Sequence, residues 1–230
     1  MDAGEGDAPI GLGFRAMTGG SVVVGVALDG ATPRLALSSF VATADAGDRL
    51  AREPYHVAAA MARGPHGGAS EAAKAAVAEG RARQAALAAA GLDAIVRGLR
   101  QNGSKRGVGQ DATEQAAGRT ARPVVAALLV NRAGWVADLL DYSLAFADHP
   151  PVAEGLAVLD ARRAAFAHIG IEAIELDEKG LPAQAAAQLG RDRDEIDLVV
   201  RTIGAAAGRP WRREQKMACL AGWVAVAALR

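Results

Sequence analysis

The polar and apolar positions divide this chain into two regimes. From Ile10 to Ala44 short apolar runs are broken by turn residues: IGLGFRAM, then TGG, then SVVVGVALDG, then ATP, then RLALSSFVATA. The β-branched run Val22–Val23–Val24 favours a pleated strand, and the Gly-containing breaks are turn signals. This pattern predicts three strands joined by short turns, an antiparallel meander.

The period changes after Ala46. DAGDRLAREPYHVAAAMARG is a mixed region. GASEAAKAAVAEGRARQAALAAAGLDAIVRGLRQNG predicts one long Ala-rich helix, opened by Ser70 and Glu71. GSKRGVGQDATEQAAGRTAR is Gly-rich, charged and poor in bulky apolar residues, which predicts a loop. PVVAALLVN is a continuous apolar run, the mark of a strand buried on both faces. Beyond it the pattern predicts a helix from about Trp135 to Asp148, broken at His149-Pro150-Pro151. A second helix then runs to Gly170, and IEAIELDE is a strand. Two further helices, LPAQAAAQLG and RDEIDLVVRTIGAAAG, precede a terminal helix opened by Trp211.

Composition narrows the class. The 230 residues are 51% hydrophobic with only 4% aromatics, so the apolar content is mostly Ala, Val and Leu, which suits close helix packing. The 26 basic and 26 acidic residues cancel. A neutral chain has no global field to gather nucleic acid, which argues against a general nucleic-acid coat but leaves room for a local basic patch. One cysteine, Cys219, in an apolar helical stretch, reads as a core residue. Residues 1–9 read as a disordered lead whose acidic, apolar-poor composition predicts no signal peptide. No apolar run approaches the ~20 residues of a membrane span. The expectation is a cytoplasmic protein with no membrane partner: one domain over 10–230 with a helical and loop insertion at about 46–122.

The predicted order is three antiparallel strands, helix, strand, helices, strand, helices. It is similar to the ribonuclease H-like fold of actin-type ATPases and Holliday-junction resolvases: a mixed α/β sheet, meander plus parallel βα strands, flanked here by Ala-rich helices. Three patches also resemble a group of uncharacterised bacterial proteins of this fold: GFRAMTGGSVVVGVALDG, HPPVAEGLAVLDARRAAFAHIGI and GRPWRREQKMACLAGWVA. The chain departs from that pattern at Met17, where a lysine is expected, and at Met217, where an acid is expected. The group brings no established activity. The fold's nucleases imply a carboxylate cluster from the first strand, the fourth strand or its helix, and the last helix, holding two metal ions. Here the first strand contains no carboxylate, and the fourth ends in Asn131-Arg132. Only Glu154 and Glu214 stand in suitable places, a poor Mg²⁺ set, and no metal site is expected.

The remaining chemistry lies in three places. Arg15, Thr18 and the amides of Gly19 and Gly20 form either a hairpin turn or an anion cradle. His149 and Glu154 flank a helix start, either as acid–base partners or as a turn histidine and a dipole-favoured glutamate. Arg212, Arg213 and Lys216 sit on one helical turn around Glu214, either a solvated face or an anion contact. The candidate catalytic residues are therefore His149, Glu154 and Glu214, and the candidate ligand contacts are Arg15, Thr18 and Lys216. No motif assigns a cofactor. Three functions stay open: a non-catalytic domain for self- or partner assembly, a binder or enzyme for a small phosphate- or carboxylate-bearing molecule, and a divergent metal-dependent nuclease or nucleic-acid binder.

Overall fold

The computed structural model describes residues 8–105, 122–131, 136–146 and 151–229. The expected lead at 1–9 and the loop at 103–122 fall mostly outside that range. Three strands form the meander: β1 (Ile10–Met17), β2 (Gly20–Asp29) and β3 (Thr32–Ala42). The two turns use Gly19 at φ +79° and Gly30 at φ +52°, conformations a side-chain-bearing residue avoids. Two short helices follow, α1 (Arg49–Arg52) and α2 (Pro54–Ala59), then the 35-residue α3 (Glu71–Lys105). Ser70 Oγ accepts the Ala73 N–H at 3.2 Å, as an N-cap does.

The apolar run becomes β4 (Val124–Val130). Next come α4 (Leu139–Ala145), α5 (Pro151–Ile169), β5 (Ala173–Asp177), α6 (Leu181–Leu189), α7 (Arg193–Ala207) and α8 (Arg213–Ala227). The helix expected over 135–148 is shorter, because Asp138 caps it by accepting the Leu140 and Asp141 N–H groups. The terminal helix starts later than expected. Trp211 precedes α8 and lies against Gly204 of α7, where a Cβ would fall 2.2 Å from the indole.

The sheet order is β3-β2-β1-β4-β5. β1 pairs antiparallel with β2 and parallel with β4, and β4 pairs parallel with β5. β2 is therefore the one strand running against the others. Strand alternation splits the core into two layers. Val22, Val24, Val26, Ala127 and Leu129 face α6, α7 and α8. Ile10, Leu12, Phe14, Val23 and Leu128 face α3 and α5, with Phe14 and Phe166 edge to face at 5.0 Å. Within the stretch expected as an insertion, α3 supplies Ala88, Leu92, Val96 and Leu99 to this second layer. Cys219 is buried, and burial pushes its thiol pKa up to about 12.

Candidate functional site

The alternation of β1 turns Gly11, Gly13 and Arg15 toward α8. The two glycines let the helix backbone rest directly on the strand. A Cβ at Gly13 would lie 1.9 Å from the Ala218 carbonyl oxygen, and one at Gly11 would lie 2.0 Å from that of Gly222. Gly222 answers from the helix, where a Cβ would lie 2.7 Å from the Gly11 oxygen. The neighbours of this seam on β4, Ala127 and Leu129, are apolar and buried. On the face toward α8, positions 11 and 13 of β1 thus have no room for a side chain.

Two residues farther on, the seam opens onto charge. Arg15 donates from Nε to Glu178 Oε2 at 3.2 Å and from Nη2 to Glu178 Oε1 at 3.0 Å, a bidentate pair. Its Nη1 lies 3.6 Å from Glu214 Oε1 at the start of α8. Arg213 reaches the same Glu178 at 3.4 Å. Glu178 is set by the chain just past β5: its N–H donates to the Val130 oxygen, and the turn behind it is tied by Gly180 N–H donating to Asp177. The Arg15 side chain is 18% exposed and that of Glu178 9%, so this pair is largely shielded from water.

A five-stranded sheet in the order 3-2-1-4-5, with only the second strand reversed, decides the architecture. The fold is ribonuclease H-like. The chain is similar to the solved structure of Thermus thermophilus RuvC, at 14% identity over 96% of this chain and 95% of that one, with a TM-score of 0.49. It is also similar to T. thermophilus RuvC in complex with a Holliday junction substrate, at 15% identity over 94% and 92% of the two chains, with a TM-score of 0.45. No protein-family model matches the chain, and no curated protein does.

The metal pair of this fold's nucleases does not fit the residues present. The middle of β1 is filled by α8, and the two carboxylates at its end share one guanidinium. A cation between Glu178 and Glu214 would meet the Arg15 charge. Among the described residues no group of three or more His, Cys, Asp or Glu is placed to hold a metal ion. No described helix is long and apolar enough to cross a membrane.

The site residues read from sequence separate. Arg15 and Glu214 meet, as above. Thr18 is exposed in the hairpin turn, while Arg15 is directed away from it to Glu178 and Glu214. His149 lies outside the described residues. Glu154 sits in the first turn of α5, against the opposite face of the sheet from Arg15. It is fully buried; Oε1 accepts the Tyr55 and His56 N–H groups, each at 2.9 Å, and lies 3.2 Å from His56 Nδ1. Oε2 has no partner among the described residues. Burial pushes the Glu154 pKa up, opposed by these hydrogen bonds. Glu154 is thus the anchor of α2, and it takes no part in a site with Arg15 or Lys216. Lys216 lines a separate groove between α6, α7 and α8.

Two functional-looking residues escaped the sequence reading. Glu178 carried a signal, a carboxylate just past the end of a parallel strand, where α/β sheets concentrate their chemistry. Arg162 carried none. It is fully buried in α5 and, among the described residues, donates only to neutral acceptors: Ser21 Oγ at 3.0 Å, the Ala88 oxygen at 3.3 Å and the Val41 oxygen. Without a carboxylate beside it, burial pulls its pKa down to about 10.

Proposed function

We propose that this chain is a non-catalytic ribonuclease H-like domain that works by assembly, pairing with a second copy of itself. The observation that carries the reading is Arg15: its guanidinium lies between Glu178 and Glu214, at the end of the strand where a metal-dependent nuclease of this fold needs carboxylates. Glu178 and Glu214 neutralise the Arg15 guanidinium, which leaves no free carboxylate pair to clamp a metal ion there.

The choice of assembly rests on β3. It is an edge strand of 11 residues, and from Leu35 to Ala44 it and its extension carry no charge. Charged residues on an edge are a common guard against pairing with other chains. Phe40 stands 52% exposed on this edge, beside Met17 at 38%. Two such edges can meet antiparallel about a two-fold axis, which closes the assembly as a dimer. A cytoplasmic setting suits its single buried, unpaired cysteine.

Sedimentation velocity at micromolar concentration, run beside cleavage assays on branched and single-stranded nucleic acids with Mg²⁺ or Mn²⁺, tests the reading. The expected result is a dimer without cleavage, and Ser39→Lys turns it into a monomer with an unchanged circular dichroism spectrum. Metal-dependent cleavage by the wild-type chain, lost in Glu214→Gln, overturns the non-catalytic part. A wild-type monomer overturns the assembly part.

A further inference from the structure

We propose that the groove between α6, α7 and α8 binds a small amphiphilic anion, a free molecule with an apolar body and a carboxylate, sulfonate or phosphate head. The groove has a volume of about 380 Å³, within the size range of small-molecule sites. Its floor is apolar: Pro182, Ile196, Val200, Met217 and Leu220. Its rim carries Arg193 and Arg201 from α7 and Arg213 and Lys216 from α8, against the single acid Asp197.

The charges on this rim are poorly matched to their own surroundings. Arg213 has Glu178 at 3.4 Å. Among the described residues, Arg193, Arg201 and Lys216 have no carboxylate within ion-pair distance, Asp197 included. α8 also begins unfavourably. Arg212 is its N-cap, Arg213 its first residue, and Lys216 follows within the first turn. A helix N-terminus carries partial positive charge and favours acids. The one acid of that turn, Glu214, is turned to Arg15. Like charge is therefore gathered over an apolar floor at the wrong end of a helix. A local conflict of this kind marks a place where the sequence answers to something other than the fold. An anionic head among Arg193, Arg201 and Lys216 relieves it, and an apolar body covers Met217 and Val200.

The site is separate from the proposed assembly edge, and its test leaves that reading untouched. Titration with 8-anilinonaphthalene-1-sulfonate, followed by displacement with laurate, measures it directly. Both should bind one per chain. The double variant Arg201→Glu, Lys216→Glu changes exposed side chains only; its affinity should fall by at least about tenfold, the loss of roughly 1.4 kcal/mol. Dodecyltrimethylammonium, with the same tail and the opposite charge, should fail to displace the probe. Equal affinity of wild type and variant, or displacement by the cation, overturns the proposal. So does binding to phosphatidylglycerol vesicles without binding of free laurate, because the surface would then be a membrane contact.

Discussion

Glu154 and Arg162 both lie fully buried on α5 and carry opposite charge. The folded Glu154 pKa is raised, so the folded state holds its proton to higher pH than the unfolded chain does. Its contribution to stability is fully present below the unfolded carboxylate value of about 4.3 and is lost as pH rises through the folded pKa. Glu154→Gln keeps an oxygen for the Tyr55 and His56 amides and removes the titration. Urea unfolding between pH 4 and 8, a range of about four units that begins near the carboxylate value and extends above it, should show a flatter stability profile for this variant than for wild type. Glu154→Ala leaves two amides unpaired and should cost about 2–4 kcal/mol at any pH. Arg162 reads the other way. Its three acceptors lie on β2, β3 and α3, and a lysine ammonium cannot span them as a guanidinium does. Arg162→Lys should lower stability by about 1–3 kcal/mol and Arg162→Ala by about 3–5 kcal/mol, both read from urea midpoints.

Among the elements, the β1–α8 seam is the tightest contact. Gly13→Ala drives a methyl group into the Ala218 carbonyl and the Gly222 amide, both backbone, so no side-chain rotation relieves it. Thermal unfolding should show a loss of at least about 3 kcal/mol, or no folded protein, while Gly155→Ala on α5, with open space around it, should change stability by less than about 1 kcal/mol. The meander, the buried β4 and the long α3 were legible in the sequence because strand and helix periods differ and the turns carry glycine. The seam was not. Gly11 and Gly13 look like loosened strand positions until the helix that rests on them is placed, and that helix lies some two hundred residues away. The same distance hid the site: Arg15 reads as an outward hairpin residue in sequence, whereas Glu178 and Glu214 come to it only through the sheet order. Glu154 was assigned correctly to a helix start, but nothing local told which face of the sheet that helix would cover.

At the scale of the whole molecule, both layers share one sheet, and α8 is buried through most of its length. Opening α8 therefore means losing the layer around it, and Cys219 reports the event. With Cys219 fully buried and its thiol pKa near 12, reagents for thiolates should leave the native protein unmodified. In urea one thiol per chain should react, with a midpoint that coincides with the circular dichroism transition. A labelling midpoint well below it means that α8 detaches as a separate unit.

The glycine seam also sets what a mutational history of this chain can contain. A library randomised at positions 11, 13 and 222 should return glycine almost alone, while position 15 tolerates several polar residues at a cost in stability. An acidic residue at position 13, the change that would begin to rebuild a metal-holding strand, is blocked before its chemistry is ever tried. It becomes acceptable only in a background where α8 has already moved outward. Rebuilding a metal-holding strand from this sequence would therefore follow an order: the helix yields first, a carboxylate then enters at position 13, and Arg15 is replaced before the carboxylates can hold a cation.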